Sequence, residues 1–257
     1  MLQTKKYFFF DFDGTLTIGS TACVPPSARK ALDLLRANGH SVAVATGRME
    51  ADIARFLPDL GIRNAVTDGG YGIVIDGNIV QMKTLDPALC HKALEELSAK
   101  HIPWGFTCAN EKVRYTNSVE FLLKINDYYA KSILDPDLDF HAFSTFHKLY
   151  IACTEEDQGQ IEALSYLPWV RFNERCIFIE ATEKQKGILT MLSMLHAPQE
   201  DVVVFGDGTN DISMFLPEWT CIALGNAHPA LKQHADYVTT PSYQDGVFNA
   251  CRHFGWI

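Results

Sequence analysis

The chain has no apolar run near the roughly 20 residues that a membrane-spanning helix needs, and no internal repeat, low-complexity tract or charged tail. Basic residues are in short supply: 22 Lys and Arg face 31 Asp and Glu, a formal net charge of −9. That balance argues against a non-specific nucleic-acid binder, which would want a basic face. It leaves an anionic substrate open, because a local cation can invert the field at a site. The seven cysteines, at 23, 90, 108, 153, 176, 221 and 251, include no C-x-x-C pair, which removes the usual zinc and dithiol motifs. Scattered thiols fit a reducing cytoplasm. No secretory signal is expected either, since Asp11 and Asp13 interrupt any apolar segment at the start. The expectation is a cytoplasmic protein, monomeric or a small homo-oligomer, with neither nucleic acid nor membrane as partner.

What is present begins with Tyr7-Phe8-Phe9-Phe10, four aromatics that read as a strand buried on both faces of a parallel sheet. The apolar run stops at Asp11, and Asp13 follows two residues on. Two acids therefore stand at the carboxyl end of an inner strand, where open α/β sheets keep their ligands. Like charges that close are unfavourable unless a proton or a cation intervenes.

Pro25-Pro26-Ser27 opens a helix with Ala28, Ala31, Leu32 and Leu35 on one face, and Gly39 closes it. Ser41 to Ala45 is a second buried strand, a helix carrying Ile53, Phe56 and Leu57 follows, and Ala65 to Thr67 is a third strand. This β-α-β-α-β order calls for a parallel sheet with right-handed crossovers. After a hairpin turning at Asp76-Gly77, strands and helices alternate without all-apolar strands, with helices expected from Asn117 through Tyr129 and from Ile161 to Leu167. The parallel rhythm returns near Ala181, with the strand Val202 to Phe205. The fold class is α/β: a Rossmann-like, doubly wound core from residues 1–82 and 182–257, with residues 83–181 as an inserted α+β domain.

Polar groups recur at the ends of the inner strands. Thr46 follows the second, Asp68 the third, and Asp207 the strand at Val202, with Asp211 four residues later. Singly each could be a cap or a polar turn; together they point to one rim of the sheet. Thr182 and Gln185 have capping-box spacing, which puts Lys186 in the first turn of a helix. A cation there opposes the helix dipole, so Lys186 is either solvated or drawn inward by Asp11 and Asp207. Asp11, Asp13, Asp207 and Asp211 bring up to four negative charges, and two like charges 4 Å apart repel by about 4 kcal/mol at an effective dielectric near 20. Such a site needs a hard cation, and carboxylates without His or Cys partners favour Mg2+. Arg114, His147 and Lys148, in the insertion, read as a solvated face with substrate contact as the alternative.

Asp11-Phe12-Asp13-Gly14-Thr15, Thr46-Gly47-Arg48, Lys186-Gly187 and Gly206-Asp207-Gly208-Thr209-Asn210-Asp211 resemble, in order and spacing, the four motifs of the haloacid-dehalogenase-like phosphatases. The insertion after the third strand resembles the class IIB cap of their Cof-type sugar-phosphatase branch. The resemblance implies a phosphatase acting on a small phosphorylated metabolite, most readily a sugar phosphate, through an aspartyl-phosphate. In that scheme Asp11 is the nucleophile and Asp13 the acid and base. Asp11, the Asp13 carbonyl and Asp207 hold Mg2+, with Asp211 behind them. Thr46, the Gly47 amide, Lys186 and Asn210 grip the phosphoryl oxygens, and Arg48 and Asp68 are candidates for substrate contact. Asp68-Gly69 departs from the Asn-Gly common among relatives. A phosphotransferase or mutase on the same scaffold, or a catalytically silent metabolite-binding protein, are the alternatives.

Overall fold

A computed structural model describes residues 4–126 and 129–257. The chain divides into two compact units, one made of the residues up to Arg48, Ile53–Met82 and Glu183–Ile257, the other of Met49–Asp52 and Lys83–Thr182.

The chain opens with β1 (Tyr7–Phe10), α1 (Pro26–Ala37), β2 (Ser41–Ala45), the short α2 (Glu50–Ile53) and β3 (Asn64–Thr67). β4 (Gly72–Ile75) and β5 (Asn78–Met82) form the hairpin. Asp76 and Gly77 both have positive φ (+52° and +79°), the turn that matches strand twist and that Asp-Gly favours. The second unit contributes α3 (Pro87–Ala99), β6 (Trp104–Thr107), β7 (Val113–Thr116), α4 (Val119–Lys124), β8 (Lys131–Leu134), β9 (Lys148–Ile151), β10 (Trp169–Asn173) and β11 (Cys176–Ile179). The chain then completes the first unit with α5 (Lys184–Met194), β12 (Val202–Gly206), β13 (Thr220–Ala223), α6 (Pro229–Lys232), β14 (Tyr237–Val238) and α7 (Gly246–His253).

The first unit is one eight-stranded sheet, ordered β14-β13-β12-β1-β2-β3-β4-β5. It is parallel from β14 to β3 and antiparallel only at the β3–β4 and β4–β5 pairs. β1 lies at its centre, with Phe8 opposite Val203 on one side and Val42 on the other. Alternation sends Phe8 and Phe10 into a core with Leu32, Leu35 and Val247, and Phe9 into the opposite core with Ile188, Met191 and Leu192. That double burial explains the unbroken aromatic run. Because β1, β2, β3 and β12 are parallel, Asp11, Thr46, Asp68 and Asp207 all follow strands that end on the same rim.

The second unit is a six-stranded sheet, ordered β10-β11-β9-β6-β7-β8, antiparallel except for β7 with β8. Several expectations change here. α4 is capped by Ser118, whose hydroxyl accepts from Phe121 N–H, rather than by Asn117. It ends at Lys124, where Ile125 turns extended and packs beside Tyr150 and Phe178. The helix expected at 161–167 is instead two 3₁₀ turns, Gln158–Gln160 and Glu162–Ser165; Pro168 disfavours helical geometry at Leu167, leaving too short a segment. β8 went unforeseen because it is an edge strand whose residues are mostly exposed and so carry no burial alternation. Arg114 and Lys148 do not form a solvated face. They are 1% and 2% exposed, Arg114 donating to Ser132 Oγ and the Asn126 carbonyl, and Lys148 paired with Glu180. Among the described residues no helix is long and apolar enough to cross a membrane.

Candidate active site

Lys184 is the hub of the rim. Its ammonium lies 2.6 Å from Asp11 Oδ1 and 2.5 Å from Asp211 Oδ1, with side chains 1%, 7% and 0% exposed. Burial works against its charge, but the Asp11 and Asp211 carboxylates outweigh this and raise its pKa. Lys186, the lysine expected in this role, is exposed and pairs with Glu183 at 2.6 Å. The reason is helical phase. α5 starts at Lys184 with Glu183 as N-cap, and two residues along a helix differ in direction by about 200°. Lys184 stands four residues before Ile188 and seven before Met191, on the buried face; Lys186 falls on the solvent side.

The placement of α5 depends on glycine. Gly70 (φ +113°) would put a Cβ 2.3 Å from the Glu183 carbonyl oxygen, and a Cβ on Gly187 would lie 2.9 Å from Gly70 Cα. Glu183 N–H donates to the Gly69 carbonyl at 2.8 Å, fixing the first turn of α5 against the Asp68–Gly70 turn. That turn is in turn fixed to the loop after β2: Asp68 N–H donates to the Arg48 carbonyl and Gly69 N–H to the Thr46 carbonyl. Asp68 is buried, has φ +52° and sits beside the Thr46–Arg48 loop. Thr46 is 1% exposed, and its hydroxyl accepts from Arg48 N–H.

Asp11, Asp207 and Asp211 each offer a carboxylate oxygen, all within 4.8 Å of one another. Burial pushes the Asp11 carboxyl well above the usual carboxylate range; Asp211 and Asp207 push it further, and Lys184 opposes them. Burial, then Asp211, lifts Asp207 to about 7, against a hydrogen bond from the Thr15 hydroxyl to Oδ1 at 2.8 Å. Asp211 is spoken for: Oδ1 takes Lys184, and Oδ2 accepts the amides of Asp207 and Gly208 at 2.9 Å each. One lysine against three acids leaves the charge unbalanced, and an all-oxygen donor set suits a hard cation such as Mg2+. The residues fit such an ion.

Asp13 follows Phe12 in an extended conformation, and Gly14 turns left-handed (φ +81°). The Arg48 guanidinium forks the Asp13 carboxylate, Nε to Oδ2 and Nη2 to Oδ1 at 2.6 Å each, and lies over the Phe12 and Phe56 rings. Gly47 is half-buried between Thr46 and Arg48. Asn210 lies in the first turn of the 3₁₀ helix Thr209–Met214, with its side-chain oxygen against Gly208. Sequence reasoning missed Lys184, and also Asn226, which follows β13 and whose amide reaches Gly14 and Asp207.

The profile of the haloacid dehalogenase-like hydrolases matches residues 8–251. "Putative phosphatase YkrA" of Bacillus subtilis (strain 168) is 28% identical over 256 residues, covering 98% of this chain and 99% of that protein. The 5-amino-6-(5-phospho-D-ribitylamino)uracil phosphatase YcsE of the same organism is 26% identical over 263 residues, covering 98% and 96%. Among solved structures, the HAD subclass IIB sugar phosphatase BT4131 superposes with a TM-score of 0.81 at 26% identity, covering 98% of this chain and 100% of that one. The matched profile takes in the rim acids, Lys184 and both sheets, and the chain belongs to the haloacid dehalogenase-like hydrolase family.

Proposed function

We propose that the protein is a cytoplasmic, Mg2+-dependent phosphatase that hydrolyses a small phosphomonoester, with sugar phosphates as the favoured class, through a phosphorylated Asp11. The observation that carries this reading is the buried Lys184 held between Asp11 and Asp211, with Asp207 within 4.8 Å. In the first step a carboxylate oxygen of Asp11 attacks phosphorus and the bond to the leaving oxygen breaks. Asp13 gives its proton to that oxygen. In the second step the Asp13 carboxylate takes a proton from water, whose oxygen attacks phosphorus. The acyl-phosphate bond breaks, returning Asp11 and releasing phosphate. To do either, Asp13 must free at least one oxygen from the Arg48 fork.

Mg2+ would be held by Asp11, the Asp13 carbonyl and Asp207, with Asp211 behind, and would supply charge neutralisation for the approaching phosphoryl group. Thr46, the Gly47 amide, Lys184 and Asn210 are assigned to the phosphoryl oxygens, Lys184 replacing Lys186. Arg48 and Asp68 are assigned to the rest of the substrate, and the unit at 83–182 to choosing among substrates. The names of YcsE and BT4131 support the chemical class, both being phosphatases of small phosphorylated compounds or sugars by name.

Phosphate release from a panel of phosphorylated metabolites, with and without Mg2+, tests the reading. Release from sugar phosphates in Mg2+ without an added acceptor is expected. Transfer only to an added acceptor would instead identify a phosphotransferase, and saturable binding without release a metabolite-binding protein.

A further inference from the structure

Asp207 and Asp211, the two rim acids that follow β12, are held in different ways. Both oxygens of Asp211 are occupied, by an ammonium and two backbone amides. Asp207 receives a neutral donor at each oxygen: the Thr15 hydroxyl at Oδ1, 2.8 Å, and the Asn226 carboxamide at Oδ2, 3.3 Å. Neutral donors orient a carboxylate without cancelling its charge, and each oxygen keeps lone pairs for a cation.

Asn226 does more than touch Asp207. Its Nδ2 donates to the Gly14 carbonyl at 2.9 Å, and its Oδ1 accepts from Ser242 N–H at 2.8 Å. One side chain thus ties the loop after Asp13, the loop after β12 and the turn Ser242–Gln244. Only a carboxamide supplies a donor and an acceptor on one short fork. The tie is needed because the first two loops are pressed together: a Cβ on Gly14 would stand 2.2 Å from Asp207 Oδ2. Without a donor between them, the Gly14 carbonyl oxygen and the Asp207 carboxylate would face each other as two acceptors.

We infer that Asn226 is a positioning residue for the cation: it aims Asp207 and fixes the loop carrying the Asp13 carbonyl, so that both present oxygen to one Mg2+. This rests on the reading of Asp207 as a cation ligand, and the experiment separates the two. Calorimetric titration of MgCl2 into the metal-free full chain compares wild type with Asn226→Ala, Asn226→Asp and Asp207→Asn. Asn226→Ala is expected to weaken Mg2+ binding by about 10–100-fold, the usual effect of losing a partner that orients a ligand. Its turnover of p-nitrophenyl phosphate should recover at saturating Mg2+, which a general structural defect would not do. Asn226→Asp keeps the oxygen that accepts from Ser242 but loses the amide donor, so it covers the case in which the alanine variant does not fold. It too should bind Mg2+ more weakly, and wild-type or tighter binding overturns the inference. An Asn226→Ala affinity within twofold of wild type overturns it as well. If Asp207→Asn alone loses Mg2+, only the role of Asn226 falls; if Asp207→Asn also binds normally, the cation assignment falls with it.

Discussion

Lys184 Nζ and Asp11 Oδ1 lie 2.6 Å apart in a setting where the two side chains are 1% and 7% exposed. A lysine this deep keeps its charge only because Asp11 and Asp211 flank it. The Lys184–Asp11 pair fixes Asp11 in direction at the end of the central strand, Lys184 opposing the burial and the neighbouring acids that raise its pKa. It also leaves Asp207 without a cation of its own among the described residues.

Replacing Lys184 should therefore cost both activity and stability. Lys184→Ala is expected to lower kcat by about 10²–10³-fold, the scale of losing one charge-stabilising donor. It should also lower the melting temperature, since breaking one partner of a buried ion pair costs about 3–5 kcal/mol. Lys186→Ala should leave both unchanged. Steady-state kinetics and thermal melts of the two variants check this, and a loss confined to Lys186→Ala would reverse the assignment.

The helical phase of α5 is legible in the sequence. Ile188, Met191 and Leu192 mark the buried face of α5, and counting back by four and seven residues reaches Lys184. Lys186 stands two residues on, about 200° around the helix and off that face. Asn226 was equally within reach, since it follows the end of a rim strand just as Thr46 and Asp207 do. Its residue type alone does not single it out, since an Asn after a Gly is also what an ordinary turn carries. The core strands were readable because double burial writes itself as unbroken apolar runs, as in Phe8-Phe9-Phe10 and Val202-Val203-Val204. β8 was not, because its partners, not its own residues, hold it in the sheet.

The glycine contact at the base of α5 gives a second expectation. Gly70→Ala places a methyl 2.3 Å from the Glu183 carbonyl oxygen at φ +113°, so the first turn of α5 must shift. Overpacking of this kind costs about 1–3 kcal/mol. The variant should melt lower and lose turnover, because Lys184 moves with the turn. Hydrogen exchange at the amides of α5 would show the loosening directly.

Without metal, the rim acids should make stability fall as pH rises. Asp207 titrates at about 7 in the folded chain against an ordinary 3.8, so the folded state holds a proton that the unfolded state has released. Its contribution is fully present below pH 3.8 and is lost as pH climbs through about 7; Asp11 is raised in the same sense. In chelator the melting temperature should decline over that window. Added Mg2+ should flatten the decline, and Asp207→Asn should shrink it. A chelated protein whose stability from this group rises with pH would contradict the charge accounting.

Asp13→Asn should separate the two chemical steps. A sugar phosphate needs a proton on its leaving oxygen, so its turnover should fall by about 10²–10⁴-fold. With p-nitrophenyl phosphate, whose leaving group departs readily, the first step should persist while hydrolysis stalls. Rapid mixing should then show a burst of p-nitrophenol close to one equivalent of enzyme, followed by a slow phase. Absence of a burst, with turnover of both substrates intact, would remove Asp13 from the mechanism.

Asp11 is expected to become phosphorylated once a hard cation relieves the crowding of acids around it. Borohydride reduction of the protein during turnover in Mg2+, followed by peptide mass spectrometry, reads this out, because an acyl phosphate at an aspartate is reduced to homoserine. Homoserine is expected at position 11, present in Mg2+ and absent in chelator or in Asp11→Asn. Sustained phosphate release with position 11 unmodified throughout would contradict it.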